Sequence, residues 1–379
     1  MRQLASGLDD SRRALGRFAF YVSCSAAAAG GLSIVACLAV RREGPVIASL
    51  AAAWLFLAAL SAGGVALAAA IDVCGGRWAE RVSPLACSTS RFFLPAFAVL
   101  VVIVSSAGRW MPAEAAPHGT RLIGLLAREL GSAAILFHVG RRYVLLATAR
   151  RTEGPARRGW AVVYLITYAA VLSLWAADLI IAVSSGAPST VVPAFYLVGG
   201  FLSAIAWVSI AANRDRGRLD DATRHDLGKL VFGLATFWGY LLWSAFLPVW
   251  YGNLPDETGQ LLARWNGMWK ALSTVVVTTV FIFPFLFFFP ERTKRDRRLL
   301  LGGSAVVLAG LFGNCILLVL PSVTMEGGAA VWLASAVAMA GLCGVFALSV
   351  GDGLDREPPE SRTVMSLVPA RAETEEVGA

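Results

Sequence analysis

Long apolar runs dominate this 379-residue chain and constrain its fold more than any other feature. A run of about 20 apolar residues is the length of helix that crosses the hydrocarbon core of a bilayer. Charged residues make up 15% of the chain, well below the roughly 25% of ordinary soluble domains. The predicted fold class is therefore all-α, a polytopic membrane protein of about ten transmembrane helices. The predicted spans are at about 18–40, 46–71, 92–110, 121–149, 160–183, 190–212, 228–251, 267–289, 299–320 and 329–350.

The distribution of basic residues predicts the orientation of the chain. When basic residues towards the span ends, including Arg141 and Arg142, are counted with the adjoining loops, the N-terminus, the even-numbered loops and the C-terminal tail carry 26 Arg and Lys residues, whereas the odd-numbered loops carry 6. Since cytoplasmic loops are enriched in Arg and Lys, both termini are predicted to be cytoplasmic. The first apolar run is too long for a signal peptide and is interpreted as a retained helix. The predicted parts are a cytoplasmic N-terminal segment (1–17), a ten-helix transmembrane domain (18–350) and a polar cytoplasmic tail (351–379), disordered or ordered by a partner.

The cysteines and histidines argue against a cofactor bound by this chain. The six cysteines show no CxxC or CxxCH spacing, so neither iron–sulfur ligation nor covalent haem is expected. Of the three histidines only His138 lies within an apolar span, and a bis-histidine haem needs two. No metal site and no catalytic residue is predicted. Nucleic acid is not an expected partner, because the basic residues lie in short runs between spans, where they set topology.

Charged residues inside the spans are candidate functional residues, because a charge at membrane depth is costly. Asp178, the deepest carboxylate, is either a hydrogen-bonded structural residue or a proton-handling group. Arg128 and Glu129 suit a quinone pocket or a proton path, and equally a structural ion-pair network; they point about 100° apart, so only one can face a given neighbour. His138 is more typical of a satisfied core residue than of a ligand. Asp72 either marks the cytoplasmic boundary of its span or belongs to the same proton path.

The passage "HDLGKLVFGLATFWGYLLWSAFLPVWYGNLPDET" (225–258) carries polar groups at both ends of one predicted span. At the cytoplasmic end lie His225, Asp226 and Lys229. Asp226 is expected near the helix N-terminus, where the helix dipole favours a carboxylate, and Lys229 can extend to the interface. The external end is an aromatic belt followed by an acidic turn that is expected to face partners: Tyr251, Asn253, Asp256 and Glu257.

Together with the later "FIFPFLFFFPERTKR", this passage resembles the F-type integral membrane subunit of bacterial alternative complex III, in the NrfD and polysulfide-reductase-like superfamily. Members carry patterns close to H-x-x-D-L-G-K-L, F-W-x-Y and W-Y-x-N-I-P-E-E-T. A second stretch, "LWAADLIIAVSSGAPSTVVPAFYLVGGFLSAIA", resembles the aspartate-containing segment of the family, and Asp178 matches its first aspartate. The two stretches cover residues 165–298, and the remaining spans match in character alone.

The resemblance implies an accessory subunit of a respiratory quinol:cytochrome c oxidoreductase in the bacterial inner membrane, a scaffold with a proton path and no redox cofactor of its own. The implied partners are a sister NrfD-like membrane subunit that holds the principal quinol site, a multihaem cytochrome c with haem c, an iron–sulfur subunit, a terminal oxidase and lipids. Ala245 replaces a Gln of the family pattern and Val280 replaces a His, which favours a structural role. The alternatives are a quinone-binding anchor of another oxidoreductase and a proton-coupled transporter that uses Asp178 and Glu129.

Overall fold

The structure, a computed structural model, describes residues 23–31, 43–76, 82–113, 115–149, 155–184, 189–214, 219–253, 258, 262–323 and 328–354. In these ranges all regular secondary structure is helical. Nine helices of the described part are long and apolar enough to cross a membrane. The protein is therefore an all-α polytopic membrane protein, and the prediction of the fold class is confirmed.

The helices are labelled α1 to α10 in chain order. Nine of them, α2 to α10, coincide with predicted spans two to ten, whereas most of the first predicted span (18–40) lies outside the described residues. Most of the predicted C-terminal tail also lies outside them. The helices are α1 (23–31), α2 (Glu43–Cys74), α3 (Ser83–Ser105), α4 (Thr120–Thr148), α5 (Pro155–Ile181), α6 (Val192–Arg214), α7 (Asp221–Gly252), α8 (Gly267–Phe287), α9 (Arg297–Val319) and α10 (Gly328–Leu354).

Helix α2 forms the centre of the bundle. Its sequence, "EGPVIASLAAAWLFLAALSAGGVALAAAIDVC", is apolar on every side, which is typical of a helix surrounded by protein. In its most apolar stretch 94% of the residues are buried, compared with 28% for α7 and 22% for α8. Helices α3, α5, α6, α9 and α10 all pack against it. The outer helices are thus arranged around one central, alanine-rich helix.

Glycines permit the closest helix contacts in this core. A Cβ atom placed on Gly63 of α2 would lie 2.6 Å from the carbonyl oxygen of Gly200 on α6. A Cβ atom on Gly30 of α1 would lie 2.6 Å from the Cα atom of Gly341 on α10. Both distances are too short for any side chain, so these glycines permit the close approach of the helices.

The start of α9 shows how a polar residue defines a helix end at the membrane surface. Asp296 is the N-cap residue, and its Oδ1 accepts hydrogen bonds from the backbone N–H groups of Leu299 at 3.0 Å and Arg298 at 2.8 Å. These bonds satisfy two of the N–H groups that have no partner within a helix. The bond from Leu299, with a second from Arg298, lowers the pKa of Asp296 below its usual range.

Candidate functional site

An ion pair joins the first half of α4 to the last turn of α5. The Arg128 side chain donates two parallel hydrogen bonds to the Asp178 carboxylate, from Nε to Oδ2 and from Nη2 to Oδ1, the second at 2.7 Å. Arg128 lies eight residues after the start of α4, about 12 Å along the helix axis. This two-pronged geometry reduces the cost of both charges in a membrane. The Arg128 side chain is 50% exposed and that of Asp178 is 14% exposed, so the pair lies at the outer edge of the bundle.

Asp178 lies in a π-helical turn, Ala177–Ile181, at the end of α5. In this turn the N–H of Ala182 donates to the carbonyl oxygen of Ala177 at 2.9 Å, five residues back instead of the usual four. The additional residue changes the direction in which the side chains of the turn project. Single π-helical turns inside α-helices are frequent at functional sites, which makes the position of Asp178 a second reason to consider it functional.

Glu129 is the most unusual residue of this region. It is completely buried, and neither oxygen of its carboxylate has a hydrogen-bond partner among the protein atoms. The Glu129 carboxyl group lies beside that of Asp178. Arg128 is half exposed and Glu129 is buried, yet both side chains lie beside Asp178, so the expectation that only one of them can face a given neighbour is wrong. Arg128, Glu129 and Asp178 are named the Glu129 cluster below.

A second polar cluster ties the opposite ends of α4 and α5 to α2. The Tyr143 hydroxyl donates to Asp72 Oδ2 at 2.6 Å, and Arg157 Nε donates to the same oxygen at 2.6 Å. Arg157 Nη2 donates to the other carboxylate oxygen. Asp72 therefore accepts three hydrogen bonds, and its side chain is 11% exposed. Asp72, Tyr143 and Arg157 form the Asp72 cluster.

Three buried tyrosines hold the helices that lie between the two clusters. Each hydroxyl donates a hydrogen bond to a backbone carbonyl of another helix, as buried tyrosines usually require. The bonds run from Tyr164 to Ala62 at 2.9 Å, from Tyr168 to Leu197 at 3.0 Å and from Tyr196 to Leu55 at 2.8 Å. These bonds fix α5 and α6 against their neighbours, and the core around them contains the edge-to-face pair of Trp54 and Trp175, with ring centroids 4.8 Å apart.

His138 does not join either cluster. It lies on the outward face of α4, exposed at the surface of the bundle. Nine residues of helix separate it from Glu129, about 13 Å along the axis. Among the described residues it makes no hydrogen bond and no ion pair. Its environment is thus not the protein core that a lone histidine on an apolar helix suggests.

The end of α7 that begins at Asp221 forms a network of charged side chains. His225 lies 3.9 Å from the Glu291 carboxylate, and Lys229 lies 3.3 Å from that of Asp226. The hydrogen bond from Arg295 lowers the pKa of Glu291 below its usual range. These contacts join α7 to the short helix Glu291–Arg295, which follows α8.

The expected position of Asp226 at the N-terminus of α7 is wrong. The helix begins at Asp221, so Asp226 lies in its second turn and pairs with Lys229 instead of the free backbone N–H groups. The reason is that the helix continues beyond the apolar stretch into a charged segment. An apolar window detects the part of a helix that crosses lipid, whereas the helix itself ends where its backbone hydrogen bonds end.

At the other end of α7, Tyr251 is 85% exposed and Asn253 ends the helix. Asn253 adopts a left-handed conformation with φ of 46°, and its N–H donates to the carbonyl of Val249 at 3.1 Å. Asparagine tolerates this conformation better than most residues, so it suits the helix end. Asp256 and Glu257 lie outside the described residues.

Tyr143 and Arg157 belong to a cluster that the sequence did not suggest. Arg157 lies in "RRTEGPARR", whose composition is typical of a loop. Pro155, however, is a typical first residue of a helix and could have predicted that the helix begins before Arg157. Tyr143 lies in an apolar span, where a hydroxyl needs a partner. Neither signal identifies Asp72 as that partner, because the three residues are far apart in the chain.

The fold and these clusters define a class, a multi-pass helical membrane protein with charged residues paired inside the bundle. In the part of the chain that the structure describes, no three His, Cys, Asp or Glu residues are grouped so as to hold a metal ion. Comparison of the sequence with family models and with curated proteins finds no match.

Proposed function

We propose that this protein is an accessory, proton-handling membrane subunit of a respiratory quinol-oxidising complex. The observation that carries the proposal is Glu129, a buried carboxyl group without a hydrogen-bond partner that lies beside the Arg128–Asp178 pair. A buried carboxylate with no donor is costly in a structure that only has to be stable. Buried polar groups without partners are instead typical of catalytic and proton-carrying sites. The family resemblance of residues 165–298 supplies the respiratory part of the proposal.

The Glu129 cluster can hold one proton between two carboxyl groups. Arg128 anchors Asp178 through two hydrogen bonds, which leaves Asp178 as an acceptor for its neighbour. When Glu129 is protonated, its hydroxyl can donate to Asp178, and both groups are then satisfied. When Glu129 loses the proton, two carboxylates face each other in a site with a single guanidinium. Release of the proton therefore favours rapid uptake of another, as a relay requires.

The redox chemistry of such a complex belongs to other subunits. In the implied assembly, haem c and iron–sulfur clusters transfer electrons in the partner chains, and a sister NrfD-like subunit holds the quinol. Quinol oxidation releases protons, and a membrane subunit with buried carboxyl groups can accept and carry them. The contribution of this chain is thus a scaffold around α2 and a proton relay at the Glu129 cluster.

The relay is tested with Glu129→Gln and Asp178→Asn in the complex purified from native membranes and reconstituted in vesicles. Each substitution is expected to lower quinol-driven proton release by about tenfold or more, because general acid–base groups commonly contribute at least that much. The matched control is Asp221→Asn, which removes a carboxylate that is also paired with an arginine, Arg224, but is 68% exposed at the end of α7. Unchanged turnover and proton yield in both Glu129 and Asp178 variants would reject the relay.

The proteins that co-purify with this chain test the respiratory part of the proposal separately. The chain is expected to purify in mild detergent together with a multihaem cytochrome c, visible from its haem absorption. Purification with an oxidoreductase that contains no cytochrome c would favour the quinone-anchor alternative. Proton-coupled uptake by vesicles that contain this chain alone would favour the transporter.

A further inference from the structure

The outward face of α4 carries polar groups that lipid cannot satisfy. The α4 outward face is defined here by Arg128, Gly131, Ala134, His138, Arg141 and Arg142, all of which are exposed. His138 lies about 6 Å from the midpoint of α4, deep in the hydrocarbon region. Within the described chain, His138, Arg141 and Arg142 make no hydrogen bond or ion pair. Polar side chains at such depth normally face protein or a water-filled cavity.

Helix α4 is also less apolar than is typical of a helix that faces lipid. Its mean hydropathy of 1.5 is the lowest of the nine spans in the described part, although only 28% of its apolar window is buried. Small residues alternate with the polar ones: Gly124, Ala127, Gly131 and Ala134 are exposed, and a Cβ atom on Gly124 or Gly131 would meet nothing within 4 Å. Small residues on a transmembrane helix permit close approach of another helix.

Helix α7 shows what a lipid-facing surface of this protein looks like. It is as little buried as α4, at 28% of its apolar window. Its exposed side chains are large and apolar or amphipathic, as is typical of surfaces in contact with lipid and its interface. They are Phe237, Tyr240, Trp243, Leu247 and Trp250. The exposed side of α4 also includes the large apolar residues Ile123, Ile135 and Leu145. It adds a histidine and arginines, however, whereas residues 231–247 of α7 expose no charged side chain, which indicates that the two helices face different surroundings.

Among the described residues, no other helix covers this face of α4. Helix α1 packs against α10, where Gly30 lies against Gly341. The tail after residue 354 has no apolar run long enough to enter the membrane. A second copy is also unsuitable. A two-fold axis along the membrane normal would place Arg128 opposite Arg128 and Arg141 opposite Arg141, without an acidic residue between them.

From this surface we infer that the α4 outward face binds a transmembrane helix of a different protein chain. The partner helix carries small residues opposite Gly131 and a carboxylate or amide that accepts a hydrogen bond from His138. Acidic groups on the partner near the end of α4 pair with Arg141 and Arg142. The surface requires such a helix whatever reaction the assembly performs, so the inference goes beyond the proposed function and does not depend on it.

A photo-crosslinking residue at position 135 tests the inference in native membranes. Ile135 lies on the same side of α4 and is 58% exposed; Tyr240 on α7 is 61% exposed and provides the matched control position. The crosslinker at 135 is expected to attach to a transmembrane peptide of another chain that contains an acidic or amide residue within two turns of the attachment point. The crosslinker at 240 is expected to give lipid adducts. Lipid adducts alone at 135, or attachment to a second copy of this chain, would overturn the inference.

Two glycine substitutions test the close packing of the same surface. Gly131→Leu fills open space on α4, whereas Gly233→Leu fills open space on the exposed side of α7, so neither clashes within the chain. Gly131→Leu is expected to lower the yield of the crosslinked partner by about tenfold or more, and Gly233→Leu to leave it unchanged. Equal yields in both variants would overturn the inference. A crosslinked partner in an assembly without haem would retain the inference and reject the respiratory role.

Discussion

Both polar clusters join α4 to α5, and the Asp72 cluster also includes α2, but the two differ in how completely their groups are paired. In the Asp72 cluster, one carboxylate accepts three hydrogen bonds from Tyr143 and Arg157. In the Glu129 cluster, Asp178 accepts two bonds from Arg128, and the buried Glu129 accepts none. The Asp72 cluster has the donors that a structural ion pair needs. The Glu129 cluster contains two carboxyl groups but a single guanidinium, which is hydrogen-bonded to Asp178.

The Asp72 cluster is therefore suited to stabilising the fold, and the Glu129 cluster is suited to a functional role. A fully hydrogen-bonded charge stabilises the contact between helices, and its loss is costly because the partner charge remains buried. A buried carboxyl group without a donor lowers stability, so its presence suggests another purpose. Substitutions that leave an arginine without its carboxylate should therefore cost the most stability, and a substitution of Glu129 should cost the least.

The largest loss of stability is expected for Asp72→Asn. The substitution leaves the Arg157 guanidinium, 25% exposed, without its carboxylate, and we expect a loss of about 2–3 kcal/mol in the free energy of unfolding. Thermal unfolding of the purified protein in detergent measures it. Tyr143→Phe is the control, since it removes one hydrogen bond and should cost about 1 kcal/mol. An Asp72→Asn protein as stable as Tyr143→Phe would contradict the structural role of the pair.

A smaller loss is expected for Asp178→Asn. Here the guanidinium that loses its partner is half exposed, so we expect about 1–2 kcal/mol, less than at Asp72. The same unfolding measurement, made side by side with Asp72→Asn, ranks the two ion pairs. If Asp178→Asn proved the more damaging, the Arg128–Asp178 pair would be a main support of the fold and the contrast between the clusters would disappear.

The smallest change is expected for Glu129→Gln. Glutamine has nearly the same shape, removes a titratable group and provides an N–H that can donate to Asp178, so stability should change by less than about 0.5 kcal/mol or increase slightly. Hydrogen exchange of the α4 and α5 amides complements the unfolding curve. A large loss of stability would mean that the Glu129 carboxyl group makes a bond that the variant loses, and would remove the basis of the proposed relay.

The sequence predicted the main elements of the fold because each depends on residues that are close together in the chain. Nine spans were visible as apolar runs, and the exposed aromatic side of α7 lies within one run. The start of α7 was misplaced, since Asp221 and Asp226 both lie outside the apolar run but inside the helix. Hydropathy reports which residues enter lipid, and helix ends depend on backbone hydrogen bonds that hydropathy does not describe.

The candidate site was visible from the sequence in part. The sequence identified Asp178, Arg128 and Glu129 because charges are rare in apolar runs. Its expectation that only one of residues 128 and 129 can face a given neighbour is wrong, because both lie beside Asp178. The sequence also did not show which of them faces inward. The reverse arrangement would bury the Arg128 guanidinium and expose the Glu129 carboxylate, which would leave no buried carboxyl group on α4.

By itself the sequence determined that this is an α-helical membrane protein with a few charged residues at membrane depth, because the lipid requirement acts on each span separately. Only the tertiary structure decided the pairing of those charges. Asp72 joins Arg157 across 85 residues and Arg128 joins Asp178 across 50, and such contacts depend on how whole helices pack. The same packing places α2 at the centre and turns the polar side of α4 outward. Burial of a side chain is a property of the assembled bundle, and no single span contains it.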